Sequence, residues 1–262
     1  MILVFAVAAF CIAGVYSDLI LGNDPAAICR SMGTDTYCTW NYMTKTAPKK
    51  DPGYICGFES PSGSRKPHHV EMFDHFGNLL YVWAHKGKSL LFPEGTGIPL
   101  GDARMDSVSI TVHYPYKIER VLPGETIMIM RQCTGEPTFI PFTNALHTER
   151  IIIPPGQSSF VVEASQPLTR GGVAKWFLVH AHNLGVRNHA TLQGGSVARS
   201  TQMPQTFIPI KTPFNVQKGE IVHFACEYDS TKVDTTTVYG PTHTDEMCFV
   251  YLMVVDKNPN KK

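Results

Sequence analysis

Eleven histidines occur in the 262 residues, and several are grouped where they can share a metal ion. His180-Ala181-His182 follows the apolar run 176–179. On a strand, residues i and i+2 share one face, so both imidazoles can reach one metal. The same two residues serve equally well as polar groups where a strand ends. His68-His69 follows Pro67. Adjacent side chains on a strand point to opposite faces, so a shared metal there needs a bulge or a strand end; a surface pair is the plainer reading. His113, in Val112-His113-Tyr114, closes a strand and, taken alone, reads as a core histidine with satisfied hydrogen bonds. Met247 precedes an apolar run, where methionine usually fills core gaps. Its thioether gains meaning only beside imidazoles, because soft sulfur joined to histidines favours Cu(I) over zinc.

The elements that must position these residues read as strands. Runs at 107–112, 126–130, 150–153, 176–179, 221–224 and 249–255 are short and alternating or β-branched. Turn clusters such as Pro154-Pro155-Gly156 and Lys218-Gly219-Glu220 bound them. No window sustains a 3.6-residue period, so the expectation is an all-β chain built from sandwiches. A break at Leu122-Pro123-Gly124 would divide residues 18–122 from 123–262.

Residues 1–17 carry no charge and read as a secretory signal cut before Asp18, since the apolar stretch is shorter than the ~20 residues of a spanning helix. No membrane span is expected in the mature chain. Secretion would leave six of the seven cysteines in an oxidising compartment, with disulfides the default and fifteen pairings open. Lys+Arg number 23 against 22 Asp+Glu with no basic block before the Lys261-Lys262 tail, which argues against nucleic acid as a partner. His-Glu-x-x-His, phosphate-binding glycine loops, Gly-x-Ser-x-Gly elbows and paired-cysteine zinc spacings are all missing.

Taken together, Asp35-Thr36-Tyr37, His68-His69, the segment 78–84 with Val112-His113-Tyr114, the segment 179–185 and Asp245-Glu246-Met247-Cys248 resemble, in order, the copper type II ascorbate-dependent monooxygenases. The peptidylglycine-hydroxylating branch is the nearer one. Ile153-Pro154-Pro155-Gly156 and the segment 203–209 also look like that family. The resemblance implies two β-sandwich domains, each binding one copper. It implies His68, His69 and His113 as ligands of an electron-transfer copper, and His180, His182 and Met247 as ligands of a catalytic one. Ascorbate would supply electrons, dioxygen the inserted oxygen, and the α-carbon of a C-terminal glycine in a peptide the hydroxylated position. A separate amidating lyase would take that product on. A Cys226–Cys248 disulfide is likewise implied.

Three positions depart from the family's pattern and one keeps it. Leu178 stands where the resemblance implies a carboxylate-binding arginine, and Phe249 where it implies a polar group; Tyr251 keeps the family's tyrosine. These three would line a substrate pocket that is more apolar than usual, with Arg150 or Arg187 as replacement cations. Thr111 stands in place of a glutamine. A hydroxylase of a less polar substrate, or a secreted copper- or ligand-binding protein without catalysis, are the alternatives.

Overall fold

The computed structural model describes residues 19–22, 27–43, 53–84, 86–100, 105–119, 122, 125–192, 195–201 and 205–260. The expected signal at 1–17 lies outside them. The described chain is all-β, with no helix among the described residues. In order, the first ten strands are β1 Leu19–Gly22, β2 Ile28–Met32, β3 Asp35–Met43, β4 Gly53–Phe58, β5 His69–Phe73, β6 Leu79–Ala84, β7 Leu90–Leu91, β8 Ile98–Pro99, β9 Ser107–Tyr114 and β10 Ile127–Thr134. The remainder are β11 Phe139–His147, β12 Ile152–Ile153, β13 Phe160–Pro167, β14 Gly172–His180, β15 Gly185–Leu192, β16 Gly195–Thr201, β17 Ile208–Val216, β18 Ile221–Tyr228, β19 Thr237–Val238 and β20 Phe249–Lys257.

Two sheets use only strands before residue 135. One runs β1-β10-β4-β7 with β8 also on β4, and the other runs β2-β3-β9-β5-β6. They share an apolar cluster that includes Ile55, Phe58, Met128 and Met130 from the first, and Val70, Met72, Val108, Ile110 and Val112 from the second. Along β9 the buried Val108, Ile110 and Val112 alternate with Ser109, Thr111 and His113, so the period of two turns the latter away from this core.

Two further sheets, β11-β20-β14-β17 and β13-β18-β15-β16, enclose a second cluster. Here the strand Ile127–Thr134 corrects the expected division at 122, because it pairs with β1 and β4 of the first half. The chain crosses over between β10 and β11 instead. Pro123-Gly124 supplied a turn signal, but long-range pairing assigns a strand to its sheet, and local turn chemistry does not.

The central strand β14 is buried on both faces, which its nearly unbroken apolar run Trp176-Phe177-Leu178-Val179 anticipates. Phe177 and Val179 enter the second cluster with Val250, Leu252 and Val254 of β20. Trp176, Leu178, Tyr251, Met253 and Val255 face the other way and join the first. One sheet therefore packs against both halves, and its inter-half face ends at His180.

Three disulfides tie the strands: Cys29–Cys38, Cys56–Cys133 and Cys226–Cys248. The first joins register partners of β2 and β3, the second joins β4 to β10, and the third anchors β18 beside Met247.

Candidate metal centre

His69 and His113 are direct cross-strand partners on β5 and β9, and Tyr37 is the partner of His113 on its other side. His68 lies in the bend before β5, its amide donating to His113 O at 2.7 Å. That strand-end position resolves the geometry of two adjacent histidines. One ring nitrogen from each of His68, His69 and His113 falls within 4.8 Å of the others, a spacing that can hold a metal ion.

Asp35 orients this group. It is fully buried and accepts the Nε2–H of His113 at 2.7 Å. The remaining lone pair of His113, on Nδ1, is thereby turned toward His69 Nδ1 at 3.2 Å. A carboxylate behind an imidazole is a standard means of fixing the tautomer of a metal ligand. Burial raises the Asp35 pKa, but hydrogen bonds from His243 and His113 outweigh it and bring the carboxyl down to about 2. Tyr37 stacks on His113 with centroids 4.3 Å apart and planes 6° apart.

His180 ends β14 and His182 follows two residues later. Each is held through Nδ1: His180 donates to Gln205 Oε1 at 2.5 Å, and His182 donates to the Asp245 carbonyl at 3.0 Å. Gln205 is itself fixed by a bond from its Nε2 to Ala181 O. Both Nε2 atoms are buried and have no hydrogen-bond partner among the described residues. A buried unsatisfied nitrogen costs about 1–3 kcal/mol, and a coordinated cation would remove that cost.

Glu246 joins the two ligand segments. Its buried carboxylate accepts the amides of His182 at 2.8 Å, Leu184 at 2.6 Å and Met247 at 3.1 Å. Desolvation pushes its pKa up to about 7 against the pull of these bonds. Tyr228 Oη adds a bond to Met247 O. Met247, His180 and His69 border one cavity of about 200 Å³, together with Glu71, Phe249 and Tyr251.

The two histidine sets meet in one place. Ring centroids are 5.4 Å apart for His68–His182, 5.5 Å for His69–His180 and 6.5 Å for His113–His182. Burial and the neighbouring imidazoles hold His69 and His180 well below 6.5, and burial lowers His182 to about 4. Burial also lowers His113, against the opposing pull of Asp35. Neutral imidazoles are the form that binds a metal. A loop from the second half closes over the cluster. Asp35 accepts from His243 N at 2.8 Å and from His243 Nδ1 at 2.6 Å, and Tyr37 Oη donates to Pro241 O.

The pocket residues divide. Phe249 and Tyr251 border the cavity, stacked at 5.6 Å. Leu178 borders neither this cavity nor the larger one beside it; it is 0% exposed within the first cluster, so the expectation that it lines the pocket is corrected. It shares the face of Tyr251, but packing of the first half covers it. Arg187 is held by Glu227 on the outer sheet at 2.6 Å and does not serve as a replacement cation. Thr111 is tied to Thr39 at 3.1 Å. Gln205, Asp35 and Glu246 had no role assigned from sequence, although each lies in a segment that carried the family resemblance. His243 had no such signal.

Residues 142–261 match the C-terminal domain model of the copper type II ascorbate-dependent monooxygenases. Among curated relatives, the chain is 23% identical to peptidyl-glycine alpha-amidating monooxygenase A of Xenopus laevis over 84% of its own length and 26% of the relative's. The corresponding figures for the Mus musculus peptidyl-glycine alpha-amidating monooxygenase are 28%, 84% and 25%. Dopamine beta-hydroxylase of Rattus norvegicus is 24% identical over 74% of this chain and 34% of that one. The chain thus spans about a quarter of the length of the peptidyl-glycine relatives. Among solved structures, the major capsid protein P2 of bacteriophage PM2 aligns at 11% identity and a TM-score of 0.40, over 94% of this chain and 100% of that one, from which nothing follows about function. With its five clustered imidazoles and the adjoining thioether, the chain is similar to the copper type II ascorbate-dependent monooxygenases, whose C-terminal domain model matches residues 142–261.

Proposed function

We propose that this protein is a secreted copper- and ascorbate-dependent monooxygenase that hydroxylates an sp3 carbon, with the α-carbon of a C-terminal glycine in a peptide as the first candidate. Two β-sandwich domains, one per half, would each contribute one ligand set: His68, His69 and His113 in the first, His180, His182 and Met247 in the second. The observation that carries the reading is the pair of buried Nε2 atoms of His180 and His182, each without a partner among the described residues and each locked by its Nδ1 bond. Copper bound there would supply one-electron redox chemistry and the activation of dioxygen.

The chain's own residues then have separate tasks. Asp35 and Gln205 hold imidazole tautomers, and Glu246 fixes the distance between the His182 turn and Met247. Phe249 and Tyr251 give the cavity beside Met247 an apolar wall that excludes water from the reacting carbon. Three disulfides suit an oxidising compartment.

Copper titration of the metal-free chain, followed by ascorbate-dependent oxygen uptake with glycine-extended peptides, tests the proposal. Two coppers per chain and peptide-stimulated uptake are expected. A preference for zinc, or one copper at saturation, would overturn the two-site reading. Met247→Ile should abolish turnover and leave the first copper in place.

A further inference from the structure

A second cavity of about 640 Å³ adjoins the one beside Met247, and the two share Glu71, Phe249 and Tyr251 in their walls. A row of rings leads between them. His147 stacks on Phe249 with centroids 4.9 Å apart and planes 8° apart, and Phe249 stacks on Tyr251. The outer cavity is also bordered by Arg170, Lys218 and Thr143. Thr143 Oγ1 and His147 Nδ1 are buried without hydrogen-bond partners among the described residues, and both belong to β11.

The two cations sit on turns that are built in place. Asn144, 1% exposed, accepts through Oδ1 from Thr169 N, Thr169 Oγ1 and Arg170 N at 2.8–2.9 Å, and donates through Nδ2 to Arg170 O at 3.2 Å. The turn carrying Lys218 is laced to the same segment: Leu168 N donates to Glu220 O, and Gly219 N donates to Leu168 O. Between them, Gly171 permits the close approach, since a Cβ there would lie 2.9 Å from Val216 O and 3.0 Å from Lys218 N. Arg170 lies over the Phe142 ring at 5.1 Å, which orients its guanidinium. The single acid in the wall among the described residues, Glu71, is half-buried on the β5 side.

From this geometry we infer that Arg170 and Lys218, with Thr143 and His147, form a carboxylate subsite, and that the substrate is an organic acid whose apolar or aromatic body separates its carboxylate from the reacting carbon, in place of a glycine-extended peptide, whose α-carbon is bonded directly to the carboxylate. The body lies along the His147–Phe249–Tyr251 rings toward Met247. A guanidinium and an ammonium at one rim match a carboxylate, and the stacked rings offer the apolar face that its body needs. The subsite supplies the cations that the sequence lacks at Leu178. The inference rests on the proposed hydroxylase only in taking the cavity beside Met247 as the reacting end.

Calorimetric binding of 3-phenylpropionate and of 3-phenylpropanamide to the full chain, both copper-loaded and metal-free, tests it without turnover. The acid should bind more tightly than the amide in both forms. Arg170→Met with Lys218→Met should weaken the acid about ten- to hundredfold, as loss of charge-assisted bonds does, and leave the amide within about twofold. Arg170→Lys should restore part of the difference. Equal binding of acid and amide, or an acid preference unchanged in the double variant, would overturn the subsite. Failure of the chain to take up copper would overturn the hydroxylase reading and leave the metal-free binding result standing by itself.

Discussion

At the scale of single residues, the site depends as much on the groups behind the imidazoles as on the imidazoles themselves. Asp35 fixes the His113 tautomer, so Asp35→Asn should weaken copper at the first set by about 10–100-fold, the usual effect of removing such a partner. Competition with a chelator of known affinity measures this, and an unchanged affinity would show that Tyr37 stacking alone orients His113. Glu246 accepts three amides between the ligand segments. Glu246→Gln turns one acceptor into a donor facing an amide, and should cost about 2–3 kcal/mol in urea unfolding. Leu178 is instructive in the opposite sense. It is packed on all sides in the core, so Leu178→Arg places an unpaired guanidinium there. The expected outcome is a loss of about 3–5 kcal/mol of stability and no gain in binding of carboxylates; a stable variant with tighter binding would refute the packing argument.

At the scale of elements, the Cys226–Cys248 bond lies immediately beside Met247, the candidate ligand. It joins residues 22 apart in sequence, a constraint worth about 3 kcal/mol in the chain-entropy view. Cys226→Ala with Cys248→Ala should therefore lower the unfolding free energy by about that amount, and should weaken binding at the second copper more than at the first. Equal loss at both would show that the bond serves only the fold. Cys56–Cys133 spans 77 residues and ties β10 to β4, which is where the chain keeps β10 in the first half.

At the scale of the whole molecule, two consequences follow from the close approach of the two histidine sets. Imidazoles of the two sets lie 5.4–6.5 Å apart by ring centroid, so Cu(II) ions held by both should interact magnetically. Electron paramagnetic resonance of the loaded protein should show dipolar broadening and a half-field signal, whereas two sharp isolated signals would show that the halves separate on loading. The second consequence is a pH dependence of the metal-free fold. His69, His113, His180 and His182 all have folded pKa values below the ordinary 6.5. The unfolded chain therefore takes up protons first on acidification, and stability present above about pH 6.5 is lost as pH falls. His182, titrating at about 4, contributes about 3 kcal/mol to that loss. Glu71 and Glu246, raised to about 7, act oppositely: their contribution is present below 4.5 and disappears as pH rises to 7. Four imidazoles oppose two carboxyls, so unfolding free energy should fall between pH 7 and pH 5. A rise over that interval would mean the carboxyls dominate.

The all-β class and the candidate ligands were legible in the sequence because they depend on residue type and short spacing. The period of two in β9, the apolar run of β14 and the His-x-His pair are local facts, and they named the all-β class and the candidate ligands. What only the tertiary structure decided lies between residues far apart in the chain. His113 meets Asp35 across 78 positions, and Asp35 meets His243 across 208. The membership of β10, the burial of Leu178 and the pairing of the Arg170 and Lys218 turns are of the same kind. Strand alternation tells which residues share a face; it carries no information about what packs on that face. That choice is made when apolar surfaces from both halves come together, and it brought histidine rings of the two halves within 5.4–6.5 Å of one another.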